Sequence, residues 1–263
     1  MTSTRTTPDL TPYRPGPRAW GALVVAELRS VSRDTAGLVV PLGLPALILV
    51  MYGLGGADAP GSGGDGLSVL EAQGIPLAIT MVLAMIGAVN MPSFLAMYRR
   101  GGVLRRLGVT PLNPMAVLVA QVAASAVQSL LGIGIALGIA ATVFGASAPR
   151  SVAAALVGAT LVAAAMYGVG MVVAAVSPTP NSAVAIGLVA FFAMGAAGGM
   201  FGPVEVLPDE LARIGSWLPF AAGIEVLSSA WAGSWASLRD VLVLVGCAAA
   251  GVAGSLLTFR WDR

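Results

Sequence analysis

Residues 151–204 read SVAAALVGATLVAAAMYGVGMVVAAVSPTPNSAVAIGLVAFFAMGAAGGMFGPV, a run without one Asp, Glu, Lys or Arg. A membrane span takes about 20 apolar residues, so the run is long enough for two. Ser177-Pro178-Thr179-Pro180-Asn181 divides it. Neither proline has an N–H to give a helix, and each turns the residue before it away from helical geometry. The run therefore predicts one span over 151–176 and another over 182–202. Composition makes the same demand of the whole chain: 57% of residues are hydrophobic and 10% charged, with a mean hydropathy of +0.89. Soluble domains carry about 25% charged residues. Most of this exterior must face lipid.

Working outward, charge-free stretches place further spans near 36–56, which holds Pro41 and Pro45, and near 75–97, 115–144 and 240–259. The expected fold is an all-α integral membrane protein with six transmembrane helices. Residues 203–237 are too polar for a clean span and too apolar for a free loop, which predicts short helices re-entering the outer leaflet before the last span. Residues 1–17 predict a flexible cytoplasmic tail, because they lack the apolar core of a signal peptide. Over 18–34, Trp20, Leu23, Val24, Leu28 and Val31 recur at helical spacing with Arg18, Arg29 and Arg33 on the other side. A basic amphipathic helix lies in the membrane interface; a cytoplasmic helix packed on protein carries the same pattern. The transmembrane domain follows, over 35–263.

Arginine orients the spans. With the N-terminus inside, eleven arginines fall on inner segments: Arg5, Arg14, Arg18, Arg29, Arg33, Arg99, Arg100, Arg105, Arg106, Arg260 and Arg263. Three (Arg150, Arg213 and Arg239) fall outside. That is the positive-inside bias, and it predicts a multi-pass plasma-membrane protein with both termini cytoplasmic. The Ala-, Gly- and Arg-rich usage points to a GC-rich bacterial genome.

Several chemistries are excluded. All fourteen basic residues are arginine, and the chain has no lysine and no histidine. A P-loop needs its lysine, and common zinc sites and Ser-His-Asp triads need histidine. No catalytic residue, metal ligand set or bound cofactor is expected on this chain, and the net charge of +2 does not call for nucleic acid. Cys247 stands alone, so there is no disulfide. Ion-coupled transport would want a titratable carboxylate within a span; the clear spans have none, and Glu225 and Asp240 lie in or beside the outer segment.

Polar residues within the spans are few. Gln121, Ser125, Gln128 and Ser129 share one face of the third span, and Asn90 marks a face of the second with Met81 and Met85. Polar groups in hydrocarbon face protein or a cavity, so these make interhelical hydrogen bonds or meet a substrate. Gly195/Gly199, Gly198/Gly202 and Gly134/Gly138 have the spacing of close helix packing.

The densest inner feature is the loop 98–112, which reads Tyr98-Arg-Arg-Gly-Gly-Val-Leu-Arg-Arg-Leu-Gly-Val-Thr-Pro-Leu112 and runs on to Asn113-Pro114. Leu104 and Leu107 share a helical face, with Arg99, Arg100, Arg105 and Arg106 around them and Thr110-Pro111 at the exit. The cluster either fixes topology by charge alone or forms a short helix that docks on a partner. The pattern resembles the coupling segment of ABC-2-type transporter permeases. Ala26-Glu27-Leu28-Arg29 with Arg33-Asp34 is similar to that family's elbow helix. Pro203-x-x-x-Leu207-Pro208-x-x-Leu211, Trp217-Leu218-Pro219 and Ala230-Trp231-x-Gly233 are similar to its outer segment before the last span. The anchors run from about residue 18 to 259 in the family's order. One departure is that many members carry acids just before the coupling glycine, where this chain has Tyr98, Arg99 and Arg100.

The resemblance implies the permease half of an exporter that is not itself an enzyme. ATP and Mg would be held by a separate ATPase subunit, in two copies, and a second permease, most simply an identical copy, would complete the pathway in the lipid. It implies that Arg99, Arg100, Leu104, Arg105, Arg106, Leu107, Thr110 and Pro111 form the ATPase-coupling site, and that Trp20, Glu27, Arg29 and Arg33 belong to the elbow. Family cargoes include drugs, antibiotics and cell-surface polymers or glycans. Spans without charge point to a hydrophobic or amphipathic, drug-like compound, which makes resistance by export the expected role.

Overall fold

The computed structural model describes residues 17–56, 66–100, 115–202 and 204–258, and every regular element among them is helical. Pro17, whose missing N–H costs nothing in a first turn, opens α1 (Pro17–Arg33). Asp34 ends α1 and caps α2 (Thr35–Gly56), its carboxylate accepting the Gly37 N–H at 3.0 Å. This is the usual service of an aspartate before a helix.

The next helix forms the axis of the molecule. A π-helical turn (Leu70–Gly74), α3 (Ile75–Ala84), a π-helical segment (Met85–Asn90) and α4 (Met91–Arg100) run on without a break. Residues 74–92 are all buried, as a helix apolar on every side must be. Around it pack α2, α5 (Met115–Phe144), α6 (Val152–Val176), α7 (Pro180–Ala197) and α9 (Pro219–Ala232). The span expected at 75–97 thus starts a turn earlier, at Leu70.

Between α6 and α7 the chain turns at Ser177–Thr179. Ser177 closes α6 with two bonds to the Val173 carbonyl, from its N–H at 3.1 Å and from its Oγ at 2.6 Å. Thr179 and Ser182 cap α7 reciprocally, with Pro180 in the first turn. The helix expected over 182–202 accordingly begins at Pro180 and ends at Ala197. Gly199 and Gly202 follow with φ of +87° and +158°, a geometry that side chains resist. The segment 204–237 contains a 3₁₀ turn (Val204–Val206), α8 (Asp209–Gly215) and α9. α9 has 14 residues, about 21 Å at 1.5 Å per residue, too short to cross a bilayer. Its face bearing Phe220, Gly223, Leu227 and Trp231 is buried against α3 and α6. The last helix, α10 (Leu238–Thr258), lies along α6.

Among the described residues, five helices are long and apolar enough to cross a membrane: Gly37–Gly55, Leu70–Tyr98, Val119–Phe144, Val152–Val176 and Pro180–Ala197. Their outer faces carry exposed Leu54, Leu130, Leu156 and Val189, which water would disfavour and hydrocarbon accepts.

The axial helix owes its tight packing to a proline and two glycines. Pro92 lacks the N–H that would have gone to the carbonyl of Ala88 in an α-helix or to that of Gly87 in a π-helix. Gly170 on α6 and Gly187 on α7 close on these two oxygens. A Cβ at 170 would lie 1.9 Å from the Gly87 oxygen, and one at 187 would lie 2.4 Å from that of Ala88. Only glycine permits the approach, which brings a Cα–H towards each oxygen as a weak partner. Gly170→Ala should therefore destabilise by about 1–3 kcal/mol through overpacking. Gly138→Ala, at a site with open space around its Cβ, should be neutral or stabilising by up to about 1 kcal/mol. Unfolding midpoints in a denaturing detergent titration would measure both, and equal effects would contradict the packing described.

Candidate functional site

Two polar constellations lie on the path from α1 into the axial helix. The first contains a carboxylate on an apolar face. Glu27 sits in α1 between Val24 and Val31, on the side that packs towards α2 and α5, and is buried. Its Oε2 accepts the phenol O–H of Tyr98, which stands near the end of α4. Burial pushes the Glu27 carboxyl above its ordinary 4.5, and the Tyr98 hydrogen bond pulls it part of the way back. The contact fastens the amphipathic helix to the last turn before residue 101. Trp20 is half-buried on the same helix, while Arg29 and Arg33 are exposed, as is Arg100 at the end of α4.

The second constellation surrounds one backbone carbonyl. In α2 the Gly37 oxygen would normally accept the N–H of residue 41, but that residue is proline. Asn90 Nδ2 and Gln128 Nε2 both donate to it at 2.8 Å. Asn90 Nδ2 also donates to Gln128 Oε1 at 3.0 Å, closing the triangle. The site is close at 37: a Cβ there would lie 2.5 Å from an Asp34 carboxylate oxygen and 2.9 Å from Asn90 Oδ1, so those side chains would have to shift. Gly37 is thus held at its N–H by Asp34 and at its carbonyl by the second and third spans. Ser129 Oγ pairs with Tyr167 Oη at 3.0 Å, tying α5 to α6. Ser125 and Gln121 are buried further along α5, towards its start. Among the described residues the Gln121 Oε1 has no hydrogen-bond partner.

Of the expected site residues, the structure therefore brings together Asn90 with Gln128, and Glu27 with the tyrosine beside Arg99. Leu104, Arg105, Arg106, Leu107, Thr110 and Pro111 lie outside the described residues, as does the Arg99 side chain.

A third constellation, at the opposite end of the helices, escaped the sequence reading. Glu71 Oε1 accepts the Ser147 N–H at 2.7 Å, and Trp231 Nε1 donates to the carbonyl of the same Ser147 at 3.3 Å. The other Glu71 oxygen accepts from the Ser68 N–H and hydroxyl. Ser228 Oγ donates to the Ala72 carbonyl at 2.8 Å, and the Ser151 N–H to that of Ala230 at 3.1 Å. One residue between α5 and α6 is thus held at both its N–H and its carbonyl, and α9 is bound to the start of the axial helix. Trp231 belongs to the Ala-Trp-x-Gly signal, but nothing local in the sequence paired it with Glu71.

A family model described as ABC-2 type transporter matches residues 18–231. That range takes in all three constellations. No curated protein matches the chain.

A carboxyl whose folded-state pKa is raised stabilises the fold in its protonated form, and loses that contribution as pH rises through the raised value. Docking of α1 should therefore be tightest in acid and loosen above pH 4.5. Glu27→Gln should remove this pH dependence, and Tyr98→Phe should move its midpoint upward. Amide hydrogen exchange of α1 between pH 4 and pH 8 would report it. Identical profiles for the wild type and Glu27→Gln would contradict the assignment.

Proposed function

Because the chain belongs to the ABC-2 type transporter family, we propose that it is the permease subunit of an ATP-binding-cassette exporter, powered by a separate ATPase. In this reading α10 is the sixth span, α1 lies in the inner interface, and both termini are cytoplasmic in a bacterial plasma membrane. α8 and α9 re-enter the outer leaflet. Two ATPase subunits dock beneath two permease copies, at residues 98–112 of each.

The observation that best supports it is the continuity between the docking segment and the axial helix. Residue 98 ends the apolar stretch of a helix whose residues 74–92 are buried on every side. A displacement imposed on residues 98–112 would reach α2, α5, α6, α7 and α9 through that packing, because packed interiors transmit strain. Glu27 ties α1 to the same point, so the interfacial helix would move with it. The absence of lysine from the chain accords with a partner that supplies the P-loop.

The cargo we propose is a hydrophobic or amphipathic compound of drug or antibiotic type. None of the five candidate spans holds Lys, Arg or Asp, and the carboxylate of the one acid in them, Glu71, is fully occupied by Ser68 and Ser147.

The test is co-purification of the chain with the ATPase encoded beside it, and export by the pair from energised cells. Leu104→Asp or Leu107→Asp should lower both the yield of complex and the export rate at least tenfold, while the permease alone remains folded. Unchanged export in both variants would contradict docking at this segment.

A further inference from the structure

A π turn accommodates one residue more than the α-helical turns around it. The axial helix contains such a turn at its centre, where the Met91 N–H bonds to the Ile86 carbonyl five residues back. Residues 85–90 are all buried, so the irregularity is neither a frayed end nor a surface feature. What faces it is smooth. Gly170 of α6 and Gly187 of α7 close on the backbone oxygens of Gly87 and Ala88, and no side chain interlocks across those two contacts. At Pro92 no hydrogen bond distinguishes the two geometries, because the N–H that would go to Ala88 in one or to Gly87 in the other does not exist. The outer end of the helix is fixed: Glu71 is held by Ser68 and Ser147, and the Ala72 carbonyl by Ser228. The inner end is held by Asn90 at the Gly37 carbonyl and by Tyr98 at Glu27.

We propose that Met85–Asn90 is a register switch, which passes from π to α geometry during transport and turns the inner end of the axial helix against its clamped outer end. Its use in transport rests on the exporter reading above; the second register does not. Taking the extra residue into an α-helix turns everything after it by about 100° and advances it by about 1.5 Å. Each residue from 91 onward then takes the place that its successor holds in the π register. Tyr98 leaves Glu27, and Asn90 leaves the Gly37 carbonyl. That carbonyl is not orphaned, because Gln128 Nε2 donates to it independently at 2.8 Å. The acceptor that Pro41 leaves open thus keeps a donor in both registers, and avoids the cost of a buried unpaired oxygen. Asn90 and Tyr98 are the two contacts that hold the π register. A displacement applied at residues 98–112 becomes rotation at the middle of the membrane, beneath the smooth glycine faces of α6 and α7.

Two deletions test the second register on the purified full-length chain alone. Removing Val89, inside the π segment, should leave a continuous α-helix with both ends in place and a melting temperature within about 4 °C of the wild type. Removing Ala78, buried within α3, throws the two ends out of register and should lower it by more than about 10 °C. Equal losses in the two would overturn the proposal. Switching is read by alkylation of Ala96→Cys and Met97→Cys, each in a Cys247→Ser background. Ala96 is buried and Met97 is 40% exposed, and the switch carries residue 96 to the place of residue 97. In the complex with its ATPase trapped by ADP and vanadate, Ala96→Cys should react with N-ethylmaleimide at least tenfold faster than in the resting chain, and Met97→Cys more slowly. Removing Val89 should abolish both changes and, with them, export. Unchanged reactivity in a complex that hydrolyses ATP, or wild-type export without Val89, would also overturn the proposal. A wild-type pair that does not export would overturn the exporter reading, while the two deletions would still decide whether the axial helix has a second register.

Discussion

One oxygen atom, the carbonyl of Gly37, sets the terms for half of the bundle. Pro41 removes the N–H that would have satisfied it, at a point where the neighbouring Asn90 and Gln128 are buried. The fold supplies two side-chain donors instead, Asn90 from the axial helix and Gln128 from α5. Three helices are thereby fixed in register at one point, close to where α1 turns into α2 at Asp34. A buried acceptor left without a partner costs about 1–3 kcal/mol, a large share of the stability of a marginally stable fold. The two amides are therefore a structural requirement of the proline.

The axial helix follows the same rule by a different route. Pro92 withholds one N–H from the carbonyls of Gly87 and Ala88, and among the described residues no side-chain amide replaces it. Here the neighbouring helices approach instead, through Gly170 and Gly187. Both prolines make local exceptions to helical hydrogen bonding, and the bundle closes around each one. The π-helical segment Met85–Asn90 lies between the two devices. Such segments loosen the regular ladder and recur at functional sites. Motion entering at Tyr98 would meet this irregular stretch before it reached the clamped end at Glu71 and Trp231.

Much of this was legible from residue type and spacing. Charge-free runs and proline pairs located the helices within a few residues, because hydrocarbon tolerates almost nothing else. The polar face of the third span stood out for the same reason, although the sequence left open whether Gln128 met a helix or a substrate. Glu27 illustrates the limit. It falls on the apolar face with Val24 and Val31, which marks it as unusual, but its partner Tyr98 is remote in sequence and looked like part of an arginine loop. Glu71 lies just before the span expected at 75–97, where an acid draws no notice. Its carboxylate is accommodated by the Ser68 and Ser147 N–H groups, a match that only tertiary structure creates. Glycine spacing was an uneven guide. Of the regularly spaced glycines, Gly198 sits close against Phe220 and Ala221 of α9, whereas a Cβ at Gly134 or Gly138 would meet nothing within 4 Å; the closest approaches to the axial helix, at Gly170 and Gly187, follow no such interval.

The central claim is that Asn90 and Gln128 stand in for the N–H that Pro41 lacks, and it can be isolated in a thermodynamic cycle. Unfolding free energies would be measured for Asn90→Leu/Gln128→Leu in the native chain and again in a Pro41→Ala background, where the backbone at that position regains its donor. The double substitution should cost about 1–3 kcal/mol with Pro41 present, and less than half as much once the restored N–H can satisfy the Gly37 carbonyl. An equal cost in both backgrounds would contradict the account.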